Sequence, residues 1–445
     1  MFTTTLKIYT INSIFYKKYF LKKERIMISQ ERLQAQIDHM DTITTHAHGA
    51  KGINRVAFTT TDWEGRHYLL SLMEEAGLEI RTDAFGNVIG HRRGLREDLP
   101  AVMCGSHSDS VPEGGNYDGV CGILGAIEVA RSMEEDHFRN ERPLEIVLFM
   151  CEESSRFGCS TAGSKFMRGF LKQEDLYKYH DKWGNSMYEV LQSRGLRPDD
   201  IETCRYTKPL AAYLEMHIEQ GKVLEQEQLQ MGVVTGIAAP TRLKVRFHGS
   251  ADHSGATPMA MRQDGLCAAS EVILAVEQAA KNQTDPPVVG TVGVIDVDPN
   301  AMNVVPGETG IGIDIRSISQ QAKDDVLRQV ISQTHAIAAR RHIPVTVEPL
   351  YNDAPVPLHP AMIRFLSECC EAEKASFKQM PSGAGHDAMN WASCTPTGML
   401  FIPCRNGVSH APEEYADIGD ITRAVRVMER VLRTLSRADV DLTHC

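Results

Sequence analysis

At 445 residues the chain exceeds the size at which one hydrophobic core keeps growing, so two domains are expected. Its composition, 42% hydrophobic and 24% charged, is that of an ordinary globular protein. A net charge of −11, with no basic stripe interleaved with aromatics, excludes a nucleic-acid-binding surface, although an anionic small molecule remains acceptable to a pocket that supplies its own cation.

The stretch Leu6 to Ile26 scatters six lysines and arginines around a short apolar patch. It lacks the order and cleavage site of a signal peptide and the length of a membrane span. Residues 1–26 are therefore expected to be a leader of no structural consequence, with the folded chain opening near Met27, where Ser29 stands at the cap of a helix. Ser29 to Met40 and Thr61 to Ala76 read as helices, and Leu78 to Ile89 as two short strands joined at Phe85-Gly86-Asn87. Ala101 to Cys104 reads as a buried strand, Val120 to Met133 as a helix and Leu144 to Cys151 as a second buried strand. This βαβ rhythm predicts a mainly parallel sheet covered by helices. Tyr213 to Glu219 alternates, with Glu215, His217 and Glu219 on its polar face.

From residue 236 the order changes. Strands at Leu243 to Phe247, Val288 to Val297, Gly310 to Ile315 and Val345 to Leu350 alternate with helices at Met261 to Lys281 and Gln320 to Arg341. That β-α-β-β-α-β order is the ferredoxin-like split unit, so residues 236–353 are predicted to be an inserted domain. Residues 27–235 and 354–445 would form the interrupted α/β domain, which closes with helix Pro360 to Lys374, strand Met399 to Ile402 and helix Ile418 to Leu435. Eleven cysteines without a CxxC motif or framework favour reduced thiols and a cytoplasmic location.

Five residues of metal-ligating type, His107, Asp118, Glu153, His217 and His410, lie at or just past predicted strands, where open α/β sheets build their sites. Singly, each has an ordinary explanation: a loop histidine, a helix cap at Asp118, a solvated Glu152-Glu153 loop, a strand-face histidine, a turn histidine. Together, three imidazoles and two carboxylates suit two divalent ions sharing Asp118, zinc or, with more oxygen character, manganese or cobalt. Asp109 is placed to accept from the second nitrogen of His107, and Glu152 to act as a general base.

Six segments in order carry a resemblance: Gly105-Ser-His-Ser-Asp-Ser-Val, Gly114-Gly-Asn-Tyr-Asp-Gly, Glu152-Glu-Ser-Ser-Arg-Phe, Glu215-Met-His-Ile-Glu-Gln-Gly, Ser382-Gly-Ala-Gly-His-Asp-Ala and Ser409-His-Ala-Pro-Glu. From Met27 to about Leu435 the chain resembles the hydantoinase/carbamoylase amidases, the branch of the zinc aminoacylase and carboxypeptidase superfamily that acts on ureido compounds. Ser154-Ser155 departs from the Gly and small residue that many relatives have there. The resemblance implies a di-metal catalytic domain interrupted by a lid and dimerisation domain, with His107, Asp118 and His217 holding one ion and Asp118, Glu153 and His410 the other. It implies Glu152 as general base toward the attacking water, and His253 as a group that reaches the developing oxyanion across a homodimer interface. Arg316 would bind the substrate carboxylate with help from Asn303, and Gln220, Gly385 and His386 would contact substrate. From the residues alone, Arg316 equally suits a sheet-face pair with Asp314, His253 a turn, and the glycines beside His386 a tight loop. The activity implied is hydrolysis of N-carbamoyl-L-amino acids to ammonia, carbon dioxide and the amino acid. Allantoate or ureidoglycolate hydrolysis, a dipeptidase or aminoacylase, and a non-enzymatic dimeric scaffold are the alternatives.

Overall fold

The structure, a computed structural model, describes residues 27–45, 49 and 51–442; the expected leader lies outside them. Along the chain come α1 (Gln30–Thr42), α2 (Thr60–Glu75), β1 (Glu79–Thr82), β2 (Val88–Arg92), β3 (Ala101–His107), α3 (Val120–Glu135), β4 (Leu144–Phe149), β5 (Leu210–Ile218) and β6 (Met231–Ile237). There follow β7 (Ala239–His248), β8 (Asp252–His253), α4 (Gly265–Asn282), β9 (Val289–Asp298), β10 (Val304–Val305), β11 (Glu308–Ser317), α5 (Gln320–Arg341), β12 (Val345–Asn352) and β13 (Val356–Pro357). The last elements named here are α6 (Pro360–Ala372), β14 (Phe377–Ser382), β15 (Thr397–Ile402) and α7 (Ile418–Leu435). No described helix is long and apolar enough to cross a membrane.

Two compact units result: residues up to Thr235 with Leu358–Met380 and His386–Cys445, and Gly236–Pro357 with Pro381–Gly385. In the first, the sheet order is β1-β2-β4-β3-β5-β15-β6, with β14 beside β6. The central four strands, β4-β3-β5-β15, are parallel, and the neighbours at either side are antiparallel. Strands β3, β4 and β15 are buried along their whole length, as strands covered by helices on both faces must be. Helices α1, α3, α6 and α7 share the main core with them. Each fully buried Leu, Ile or Val there contributes about 1.5–3 kcal/mol.

Three features depart from the sequence reading. The first strand of the parallel set runs on to His107, so that ligand ends the strand instead of following it. The next stops at Phe149, because Cys151 takes a left-handed φ of 57° and turns the chain at Glu152. Residues 155–208, for which no element is predicted, fold into short helices around a separate core that includes Phe85, Phe157, Phe166 and Leu191.

The second unit is a four-stranded antiparallel sheet, β12-β7-β11-β9, the strand order of the ferredoxin-like fold. Helices α4 and α5 pack on one face; Ile311, Ile313 and Ile315 point into that core, and Asp314 and Arg316 stand on the other face. The helix expected from Met261 begins at Gly265, because Asp264 caps it, accepting from Cys267 N at 2.9 Å.

Candidate metal centre

The carboxyl ends of β3, β4, β5 and β15 and the loop before α3 bring the five expected ligand residues to one place. His107 ends β3, His217 is the penultimate residue of β5, and Glu153 follows β4. His410 lies in the loop after β15, with a left-handed φ of 57°. Asp118 precedes α3, whose N-cap is Gly119 at φ 65°. A side chain at 119 would set its Cβ 2.5 Å from His107 Nε2, so only glycine allows the loop to pass this close to the imidazole.

Asp118 is the hub. Its Oδ1 lies 3.3 Å from His107 Nε2 and 3.1 Å from His217 Nε2, whereas its Oδ2 lies 3.3 Å from His410 Nε2. His410 Nε2 is also 3.2 Å from Glu153 Oε1. Two groups follow, His107–Asp118–His217 and Asp118–Glu153–His410, each with its ligand atoms close enough to hold a metal ion. The Nδ1 atoms of His107 and His217 each lie 3.0 Å from a main-chain carbonyl, those of Asp109 and Ile218, which turns Nε2 of both rings toward Asp118, with His217 Nε2 also 3.2 Å from the Gly119 amide. The donor set of imidazole and carboxylate, largely buried, fits zinc, manganese or cobalt.

Asp109 acts differently from the sequence expectation. Its main-chain carbonyl, not its carboxylate, meets His107 Nδ1; the carboxylate stands 3.6 Å from that nitrogen. The carboxylate instead accepts the amides of Glu152 (3.2 Å) and Glu153 (3.1 Å), fixing the turn that presents both acids. Glu152 is 8% exposed, with Oε2 3.8 Å from His107 Nε2. Gln220 Nε2 contacts Asp118 Oδ2 at 2.5 Å and Ser409 Oγ at 3.2 Å. His386 is buried and packs edge-on against His217 with ring centroids 4.5 Å apart.

Electrostatics follow from packing these groups out of water. Burial pushes the Glu152 carboxyl well above its usual range; the neighbouring His107 opposes this and the Glu153 charge adds to it. Burial works against charge on His107, yet Glu152, Asp118 and Asp109 together raise it well above an ordinary histidine. Hydrogen bonds to Asp118 and Glu153 push His410 up to about 10. Burial would raise Asp118, but the three histidines hold it well below the carboxylate range. His386 is held well below its usual value by burial and then by His217.

The remaining expected site residues belong to the second unit. Arg316 Nε and Nη2 bond to Asp314 at 2.9 and 3.3 Å, and Nη1 donates to Gly383 O at 3.0 Å. Arg242 Nε shares the same Asp314 at 2.6 Å. The sheet-face pair with Asp314 is thus formed, and the remaining nitrogen of the fork is engaged on Gly383. His253 and Asn303 are exposed neighbours on a two-stranded ribbon, where His253 is paired with Val304 and Ser254 N donates to Asn303 O at 3.0 Å. Gly385 is exposed.

Sequence reasoning missed a buried polar frame behind the ligands. Arg55, fully buried, donates to Ser108 O, Met40 O, Ile43 O and Asn116 Oδ1, tying the His107 loop to the Asp118 loop. Arg66 donates to Phe149 O at 2.9 Å at the end of β4. Glu215 accepts from Ser106, Tyr213 and the amide of Ala388. No local pattern marks Arg55 or Arg66 as buried; Glu215 shares the polar face of β5 with His217, which was its one visible signal.

Residues 103–434 match the model of peptidase family M20/M25/M40. The chain belongs to that family. It is 38% identical over 406 residues to an N-carbamoyl-L-amino-acid amidohydrolase of Pseudomonas sp. strain NS671, covering 91% of this chain and 97% of that one. It is also 38% identical over 411 residues to a ureidoglycolate hydrolase of Arabidopsis thaliana, covering 91% and 86%. Among solved structures, a hydantoinase/carbamoylase family amidase from Burkholderia multivorans superposes with a TM-score of 0.88 at 32% identity, covering 93% of this chain and all of that one. Within the M20 family the protein is a hydantoinase/carbamoylase-type amidohydrolase, an enzyme of C–N amide bonds. A non-enzymatic scaffold is thereby set aside.

Proposed function

We propose that this M20 enzyme hydrolyses the ureido C–N bond of an N-carbamoyl-L-amino acid, giving ammonia, carbon dioxide and the amino acid. The observation that carries the reading is Asp118, whose two carboxylate oxygens face separate histidine sets beside a buried, unligated Glu152. Two divalent ions, zinc or alternatively manganese or cobalt, would polarise the ureido carbonyl and lower the pKa of water when bound. His107, Asp118 and His217 would hold one and Asp118, Glu153 and His410 the other. Glu152, with its raised proton affinity, takes a proton from the attacking water and returns it to the departing nitrogen. Asp109 keeps Glu152 and Glu153 in register through their amides. His386, with Gln220 and Gly385, contacts the substrate. Arg316 takes the substrate carboxylate through the N–H groups not spent on Asp314 and Gly383, assisted by Asn303. His253 stabilises the oxyanion from a second copy, so the enzyme works as a homodimer through the inserted domain, 236–353, which also serves as lid to the catalytic domain, 27–235 with 354–445. A cytoplasmic location is the one that eleven cysteines without a framework favour; the ten described cysteines form no disulfide with one another.

The Arabidopsis relative, named a ureidoglycolate hydrolase, supports a second reading in which allantoate or ureidoglycolate is the substrate. The test is ammonia release by the zinc-, manganese- or cobalt-loaded enzyme from N-carbamoyl-L-amino acids, allantoate and ureidoglycolate, with dipeptide controls and a Glu152→Gln arm. Turnover of N-carbamoyl-L-amino acids, lost in Glu152→Gln with metal retained, is expected. No turnover of any ureido substrate by metal-loaded enzyme sinks the proposal, and preference for allantoate or ureidoglycolate moves it to the second reading.

A further inference from the structure

We propose that Glu414 is a positioning residue that locks the His410 loop to the Asp118 loop and thereby sets the affinity of one of the two ions, the one assigned to Asp118, Glu153 and His410. This rests on the two-ion reading above. Glu414 is 5% exposed and stands 296 residues along the chain from Asp118. Its Oε1 accepts the amides of Tyr117 (2.9 Å) and Asp118 (3.0 Å). Its Oε2 accepts the amide of His410 at 3.3 Å and lies 2.9 Å from Ser409 Oγ, which is itself 3.2 Å from Asp118 Oδ2. One carboxylate thus joins the backbone of the shared ligand to the backbone of the last ligand. Room for it is made by Gly115, where any Cβ would fall 2.3 Å from the Cβ and Oε1 of Glu414.

The two ions depend on this clamp unequally. His107 and His217 sit within β3 and β5, held by sheet ladders and by Nδ1 contacts to main-chain carbonyls. Glu153 has its amide fixed by Asp109. His410 has neither a place in the sheet nor a buried side chain, which is 48% exposed; Glu414 ties its backbone across to that of the Asp118 loop, while Gln220 Nε2 and Ser409 Oγ join the two loops through side chains alone. A carboxylate is required because both oxygens face donors. Glutamine supplies one acceptor, and its NH₂ group must then oppose either the Asp118 amides or the His410 amide.

The experiment compares wild-type, Glu414→Gln and Gly115→Ala full-length proteins by Zn²⁺ stoichiometry and by competition titration against a chelator. Urea unfolding of the ion-free proteins reports the fold. Wild type takes up two ions. Glu414→Gln retains the first with unchanged affinity and binds the second about 10–100-fold more weakly. Gly115→Ala keeps the carboxylate but displaces it, and gives the same selective loss even where Glu414→Gln folds poorly. A purely structural residue would weaken both ions together. Two ions in wild type, with variants that lose neither or lose both alike, overturn this inference alone. Fewer than two ions in wild type overturn the two-ion reading and the inference with it.

Discussion

Replacing Asp109 by Asn isolates the carboxylate that frames Glu152, the proposed general base. In the native protein it receives two amides, from Glu152 at 3.2 Å and Glu153 at 3.1 Å, in a fully buried setting. Asn keeps one acceptor and turns an NH₂ group toward the other amide. One charge-assisted bond worth about 1.5–3 kcal/mol is lost, and one buried N–H is left unsatisfied at about 1–3 kcal/mol. Against this, the Asp109 carboxylate is costly to ionise, because burial and the Glu153 charge raise its proton affinity while His107 opposes them, and Asn removes that cost. The net loss expected in ion-free protein is about 2 kcal/mol, read from the urea midpoint at constant slope. Turnover suffers more, because Glu152 hangs on the loosened amide and a displacement near 1 Å costs about 10²-fold. The His107 tautomer is expected to survive, since its Nδ1 meets the main-chain carbonyl of Asp109 and not the substituted side chain. The assays are urea unfolding and kcat for ammonia release. A variant within about 0.5 kcal/mol of wild type and with unchanged kcat refutes the argument.

Gly119→Ala is expected to lower uptake of the ion assigned to His107 and His217, since the new methyl falls 2.5 Å from His107 Nε2 and the φ of 65° is strained for alanine; metal content by mass spectrometry checks it, and two ions bound with native affinity count against it. Arg316→Lys keeps the charge but loses the fork, so KM should rise about tenfold or more with kcat little changed; an unchanged KM removes Arg316 from substrate binding. Asp387 offers a pH test. Burial and the Glu215 charge raise its carboxyl from 3.8 to about 8, so the folded protein keeps a proton that the unfolded chain releases. The resulting stability is complete below about pH 4 and is lost as pH climbs toward about 8, whereas Asp387→Asn has no such slope. Urea curves of the two ion-free proteins should therefore diverge over that range, and parallel pH profiles contradict the assignment.

What the sequence disclosed, and what it withheld, follows from the range of the forces involved. Strands buried on both faces announce themselves as unbroken apolar runs, so β3, β4 and β15 were visible, and the alternation of β11 put Asp314 and Arg316 opposite the isoleucines without any structure. Ligand residues at their carboxyl ends were visible for the same reason. The short helices of 155–208 carry no such period, since they close on a small core with Phe58 and Phe85 from far upstream. The frame behind the site was invisible for a deeper reason. Arg55 reads as a surface residue until its partners, Ser108 O, Met40 O and Asn116 Oδ1, arrive from distant segments, and a buried guanidinium is tolerable only once they do. Glu414 is the limiting case. It sits one residue past a recognisable motif, yet its four donors lie either 296–297 positions upstream or within the turn it closes. The ligand-type residues are thus legible because each lies at or near the end of a recognisable element or in a motif, whereas the groups that hold them at fixed distances are defined by partners far along the chain. An inference from motifs alone therefore recovers the ligand-type residues that gather around Asp118 and misses the buried groups that hold their loops together.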